Sequence, residues 1–342
     1  MHRTRRVGAV AMAAMLVTVA LAGCTGAATF TNPILDVAND PYVIKDGSHY
    51  LLVESAGGGI SVTKSPENNL TGIAGGDRTQ VWTTPSEGPN CADVWAPELH
   101  HVDGKWYIYY AATTCDGDNT NHRMFVLESE GDDPLGPYID RGKIADQNDR
   151  WAIDGTRFEF GDRAYFAWSG WPGSTDGQQN LYIAEMTSPT TLEGAGVLIS
   201  EPTLDFERQT MPINEGPQAI VTDDKVFLVY SASASWTDDY GYGMLTGSGD
   251  DLLDPSSWQK SPESVFAKTD DVFGPGHGSF TTSPDGKEDW MVYHSARYSG
   301  AGWDRMMNAQ RFTWKDGVPD FGTPVGEKEQ PVPSGQVAAP GS

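Results

Sequence analysis

Positive charge is scarce in this chain. Its 342 residues hold 23 Lys and Arg against 47 Asp and Glu, a formal net charge of -24. A phosphate backbone demands a basic surface, so nucleic acid is excluded as a partner, while a neutral polymer would not be repelled. Helical periodicity is also thin throughout. The one apolar run, Val7 to Leu21, falls short of the roughly twenty residues that a membrane-spanning helix needs. The chain has no GxSxG elbow, no GxxxxGK phosphate loop and no HExxH zinc helix, so three common hydrolase and nucleotide chemistries drop out. Asp116-Gly117-Asp118-Asn119 opens like a calcium loop, but Leu127 stands where the closing glutamate belongs, and the stretch reads as an ordinary loop. Cysteine is limited to Cys24, Cys91 and Cys115.

The N-terminus reads as a processing signal. Three arginines and no acid lie in 1–23, followed by the short apolar run and then Leu21-Ala22-Gly23-Cys24. This is the layout of a secretory signal. Its last four residues resemble a bacterial lipobox, which makes Cys24 a lipidation site, 1–23 the cleaved signal and 24–29 a short tether. An ordinary signal peptide with an incidental cysteine is the alternative. Either way the expected location is extracellular, with contact to the cell membrane only through the lipid anchor. With Cys24 spent, Cys91 and Cys115 are left as one disulfide, or as two buried thiols, in an oxidising compartment.

What the chain has in quantity is Gly (39), Pro (22) and aromatic residues (11%), the composition of a turn-rich β protein. A repeat organises them. HYLLVES (49–55), WYIYYAA (106–112), AYFAWSG (164–170), VFLVYSA (226–232) and DWMVYHS (289–295) are matched runs rich in aromatic and β-branched residues, too short for ordinary helices. Each follows a turn signal: Asp46-Gly47, Asp103-Gly104, Gly161-Asp162, Asp223-Asp224 and Asp285-Gly286. Short strands are expected on both sides. Five sequential antiparallel units of about sixty residues predict an all-β, five-bladed β-propeller over 30–322, with a central funnel-shaped active site. A β-sandwich would not produce five matched units. The tail 323–342, rich in Pro, Gly and Glu, is expected to be a strap or disordered.

Just before each predicted first strand stand Asp40-Pro41, Ala96-Pro97-Glu98, Asp154-Gly155, Glu215-Gly216-Pro217 and His277-Gly278. First strands line a propeller's axis, so residues at equivalent starts meet at one end of the channel. Taken singly, each acid could belong to a plain turn or a solvated loop. Their shared phase in the repeat is what points to a site. Converging carboxylates suit glycoside hydrolysis, which needs one carboxylic acid to protonate the leaving oxygen and one carboxylate to activate water or attack. A neighbouring carboxylate raises the pKa of the acid.

The motifs Asn32-Pro33-Ile34, Asn39-Asp40-Pro41, Trp95-Ala96-Pro97-Glu98-Leu99, Ile153-Asp154-Gly155-Thr156, Asn214-Glu215-Gly216-Pro217 and Gly276-His277-Gly278-Ser279 together resemble glycoside hydrolase family 43. The resemblance implies Asp40 as general base, Glu215 as general acid and Asp154 as the residue that orients Glu215 and raises its pKa. It also implies inversion at the anomeric carbon. His277 looks like the family's axial histidine, ordering water or a possible structural calcium near the axis, with a hydrogen-bonded core histidine as the alternative. No cofactor is required. Arg305 resembles an arginine that points at the site, or else is a surface residue. Trp95 and Trp168 are candidates for stacking on sugar faces. Trp168-Ser169-Gly170-Trp171 and Tyr230 to Gly243 look most like the exo-α-L-arabinofuranosidases, so the expected partners are arabinan and arabinoxylan, met by a monomer. β-Xylosidase and endo-arabinanase are alternatives within the family. A non-catalytic carbohydrate-binding propeller is the alternative from another class, although binding alone would not need three acids. The missing repeated Trp-Asp signatures argue against a protein-interaction propeller.

Overall fold

A computed structural model describes residues 28–337. Cys24, the predicted signal and most of the tether lie outside that range. Among the described residues no helix is long and apolar enough to cross a membrane.

The five repeats are five antiparallel sheets, each a meander running outward from the axis. Blade 1 is built from Tyr42–Asp46, His49–Ala56, Gly59–Lys64 and Asp77–Thr83. Blade 2 has Ala92–Val102, Lys105–Thr113, Arg123–Ser129 and Tyr138–Ile144. Blade 3 starts with Ala152–Phe160, Arg163–Gly170 and Asn180–Ser188, and its outer edge is shared by Thr191–Leu192 and Val197–Ser200. Blade 4 comprises Asn214–Val221, Lys225–Ala232, Gly241–Ser248 and Trp258–Lys260. Blade 5 comprises Phe273–Thr282, Asp289–Ala296, Arg305–Lys315 and Val318–Asp320. The turn signals act as read. Val102 pairs with Lys105 across Asp103-Gly104, both at positive φ (50° and 74°), which is the backbone that a two-residue hairpin of matching twist requires.

The second strands of the blades are buried on both faces, which explains their unbroken apolar runs. Their side chains do not form one core. They fill five separate wedges, one at each blade junction. Leu51, Val53, Ile108 and Tyr110 join blades 1 and 2, and Tyr109, Met124 and Phe166 join blades 2 and 3. Tyr165, Leu228 and Tyr230 join blades 3 and 4, and Phe227, Val229 and Tyr293 join blades 4 and 5. Tyr50, Leu52, Trp290 and Met307 close the ring between blades 5 and 1.

The two ends of the described stretch reinforce that last junction. Buried Asn32 donates to Ala309 O (3.1 Å) and Val325 O (2.8 Å) and accepts from Ala309 N (2.9 Å). Thr29–Phe30 pairs with Gln330–Pro331. Through residue 337 the predicted tail is therefore a strap, not a disordered end.

Candidate active site

The first strands differ from the sequence expectation in one respect that matters. In blades 2 to 5 they begin earlier than expected, so the functional residues lie inside the strands and not ahead of them. Each of these strands breaks register against its neighbour at that point: between Trp95 and Glu98, Ile153 and Thr156, Glu215 and Gln218, and Gly276 and Gly278. At each break sits a residue in the left-handed region: Ala96 (φ 42°), Asp154 (55°), Gly216 (55°) and His277 (36°). Asp40 (48°), just before blade 1, is their counterpart. Every one is followed by Pro or Gly. A bulge re-aims side chains, and a non-glycine residue held there costs on the order of 1–3 kcal/mol. Four such bulges, with Asp40 just ahead of blade 1, aim five positions at one end of the axis.

Glu215 is one residue out of phase with the others. The equivalent position in its blade is Gly216, where a Cβ would lie 3.0 Å from the His277 ring. The glycine lets His277 approach closely, and the carboxyl is supplied by the residue before it.

These residues form one constellation. Asp40 Oδ1 lies 3.1 Å from Arg305 Nη1, 3.2 Å from His294 Nδ1 and 3.3 Å from His277 Nδ1. His277 Nδ1 is 4.0 Å from Asp154 Oδ2, and one ligating atom each of Asp154, Glu215 and His277 lie within 4.8 Å of one another. Asp154 Oδ2 accepts from Gly216 N (3.1 Å), which ties blade 3 to blade 4 beside the glutamate. Tyr240 donates to Glu215 Oε1 (2.8 Å) and stacks flat on His294. His277 is fixed from behind by its own N–H on Ser231 Oγ (2.8 Å).

The surroundings drive the three acids apart in pKa. Burial works to raise Asp40, but His277, His294 and the Arg305 guanidinium overcome it and hold the carboxyl well below the usual range. Burial lowers both imidazoles, His294 to about 3, so near neutrality Arg305 is the standing positive charge beside Asp40. Glu215 goes the other way. Burial, helped by the charge of Asp40 and opposed by Tyr240 and Arg305, pushes it up to about 7. Burial, then the charges of Glu215 and Asp40, push Asp154 well above its ordinary value. One end of the site is thus an ionised carboxylate and the other a carboxylic acid that keeps its proton near neutrality, which is the polarity general base and general acid chemistry requires.

Among the described residues, Asp154, Glu215 and His277 are also the set most able to hold a cation. Calcium takes six to eight oxygens, and this set offers two carboxyls, both biased toward their neutral forms, and one imidazole. The donors do not amount to a calcium cage.

The cleft above the acids has a volume of about 540 Å³. Trp95 lines it, 37% exposed and stacked on His122 (3.8 Å between centroids). Cys91, just ahead of the strand carrying Trp95, is joined by a disulfide to Cys115, in the loop after the second strand of blade 2. Trp168 does not reach the cleft. It is 7% exposed, packs on Tyr182 and lines a separate cavity of about 60 Å³ at the junction of blades 2 and 3. The sequence reading missed Tyr240 and His294. His294 lies in a strand that reads as core, and Tyr240 lies in a loop run that was noted only for its resemblance. Trp236 and Trp303, both on the cleft wall, were missed as well.

Comparison with known proteins gives the family. The model of "Glycosyl hydrolases family 43" matches residues 30–319. An "Extracellular exo-alpha-(1->5)-L-arabinofuranosidase" of Streptomyces avermitilis is 38% identical over 92% of this chain and 67% of its own length. "Alpha-L-arabinofuranosidase 43" of Humicola insolens is 34% identical over 90% of this chain and 66% of its own. The chain thus spans about two thirds of the length of these relatives. A crystal structure of an alpha-L-arabinofuranosidase from Lactobacillus brevis superposes with a TM-score of 0.81 at 36% identity, covering 87% of this chain and 98% of that one.

Proposed function

We infer the reaction from one premise: this chain belongs to glycosyl hydrolases family 43 and is a glycoside hydrolase. We propose that it is an inverting exo-α-L-arabinofuranosidase, removing terminal arabinofuranose from α-1,5-arabinan or from arabinoxylan side chains. Supporting this choice of sugar are relatives named as arabinofuranosidases at 34–38% identity. The observation that carries the chemistry is the opposed polarisation of Asp40 and Glu215 within one cleft.

In this reading Asp40 is the general base. It takes a proton from a water molecule as that water attacks the anomeric carbon, and Arg305 and His277 hold its carboxylate ionised and in place. Glu215 is the general acid and gives its proton to the departing oxygen. Asp154 orients the Glu215 segment through Gly216 N and couples to Glu215 electrostatically. No step runs through a cofactor. The names of two relatives include "Extracellular", which fits the signal read from the sequence. Anchoring through Cys24 remains part of this proposal.

A side-by-side assay of aryl α-L-arabinofuranoside, aryl β-D-xyloside and linear arabinan tests it. Arabinofuranoside should be cleaved far faster than xyloside, and arabinan should release monosaccharide without an early fall in viscosity. Faster xyloside turnover, or rapid loss of viscosity, would redirect the reading to β-xylosidase or endo-arabinanase. No turnover of any of them would favour a binding propeller.

A pH profile follows from the carboxyl pair. The acid works only while protonated and the base stays ionised through the acidic range, so kcat/KM should be flat at mildly acidic pH and fall as pH rises through about 7. Burial and the charges of Glu215 and Asp40 hold Asp154 neutral while Glu215 titrates, so Asp154→Asn leaves the charge beside Glu215 unchanged: the rate should fall while the alkaline limb stays near its wild-type pH. A limb displaced to lower pH in the variant would mean that Asp154 is ionised beside the acid.

A further inference from the structure

We propose that Trp236 and Trp303 form the subsite for the leaving part of the polymer, the sugar unit just beyond the scissile bond. The proposal rests on the arabinofuranosidase reading and adds the direction in which the substrate lies.

Trp236 and Trp303 are 38% and 62% exposed, and side by side they make an apolar patch of the kind that marks a ligand-binding groove. They meet edge to face, with centroids 5.7 Å apart and planes at 64°, and both line the cleft that holds Glu215 and Arg305. Their loops come from different blades. Trp236 follows the second strand of blade 4, and Trp303 precedes the third strand of blade 5. The two loops are clasped together. Ser299 Oγ and Gly300 N donate to the Asp238 carboxylate (2.5 and 2.8 Å), and Trp303 Nε1 reaches Ser235 Oγ at 3.4 Å. Arg305, which pairs with Asp40 through one nitrogen, donates through another to Ser235 O (2.7 Å). The tryptophan pair is therefore held in a fixed position relative to the base.

Topology then gives it a direction. In a ring of five blades, the junction of blades 4 and 5 lies across the axis from blade 2, where Trp95 stacks on His122. Aromatic walls stand at both ends of one diameter of the funnel. The oxygen that leaves must face the acid that protonates it, and Glu215 belongs to blade 4. The departing chain accordingly runs out over Trp236 and Trp303, while the terminal sugar's free end points toward Trp95. A neutral pentose suits such a surface, since its C–H face can lie on an aromatic ring without any charge to neutralise.

The test compares two substrates that share the terminal sugar. Methyl α-L-arabinofuranoside has a leaving group too small to cover either ring, whereas α-1,5-arabinotriose extends across both. For Trp303→Ala and Trp236→Ala, the ratio of kcat/KM on the trisaccharide to that on the methyl glycoside should fall about tenfold or more, mostly through KM. Trp303→Tyr should recover most of the ratio, because a flat ring is restored. Trp95→Ala should lower both substrates together and leave the ratio within about twofold. An unchanged ratio in the two alanine variants, or a ratio that falls only in Trp95→Ala, overturns the assignment. If the wild-type protein cleaves neither substrate, the arabinofuranosidase reading fails and takes this subsite with it. That outcome is seen before any variant is made.

Discussion

Glu215→Ala should lower kcat on arabinobiose by about 10²–10⁴-fold, the usual contribution of a positioned general acid, yet slow a 2,4-dinitrophenyl arabinofuranoside far less. A sugar alkoxide is a poor leaving group and needs its proton during bond cleavage, while dinitrophenolate leaves without help. Burial and the charge of Asp40 keep Glu215 protonated up to about 7, and Tyr240 holds one of its oxygens at 2.8 Å. Removing the carboxyl takes away the proton source but leaves Asp40 and its partners in place. The alkaline fall in the pH profile should vanish with it. Equal losses on both substrates would show that Glu215 acts by some route other than proton donation.

Asp40→Asn should be as damaging in rate but blind to the leaving group. Asparagine fills the same space and can still accept from Arg305 and Asp40's other neighbours, so KM should change little. It cannot take a proton from water, and kcat should fall by about 10²–10⁴-fold on activated and unactivated substrates alike. The site invests heavily in this ionised carboxylate: an arginine and two histidines surround a single oxygen at 3.1–3.3 Å. A variant that keeps near-normal kcat would remove Asp40 from the chemistry and leave it as the partner that neutralises Arg305.

Much of this was legible in the sequence because a repeat constrains what single residues do not. The five turn signals and the runs between them placed the blades, and the recurrence of Asp40, Asp154, Glu215 and His277 at nearly the same phase placed the site. Bulges were not legible. Pro and Gly after each axial residue looked like strand starts, whereas pairing shows strands that continue through a register break. The offset that puts Glu215 one residue ahead of Gly216 was hidden for the same reason.

Side chains that reach the site from second strands and loops were also hidden. His294 lies in DWMVYHS, where its neighbours are core. Trp168 failed for the converse reason. Its run looked like part of a sugar-binding surface, but strand alternation turns that ring into the wedge between blades 2 and 3, against Tyr182. Trp236 and Trp303 carried the only signal available to reading by residue type: large aromatics in polar, glycine-rich loops.

In an inverting reaction water must reach the sugar from the Asp40 side while Glu215 protonates the leaving oxygen on the opposite side. The anomer first released by the wild-type enzyme from arabinotriose, followed by ¹H NMR within the first turnovers, tests this most directly. β-L-Arabinofuranose should appear first and then mutarotate. If the α-anomer appears first, one of the carboxylates attacks the sugar itself, and the roles given to Asp40 and Glu215 are wrong.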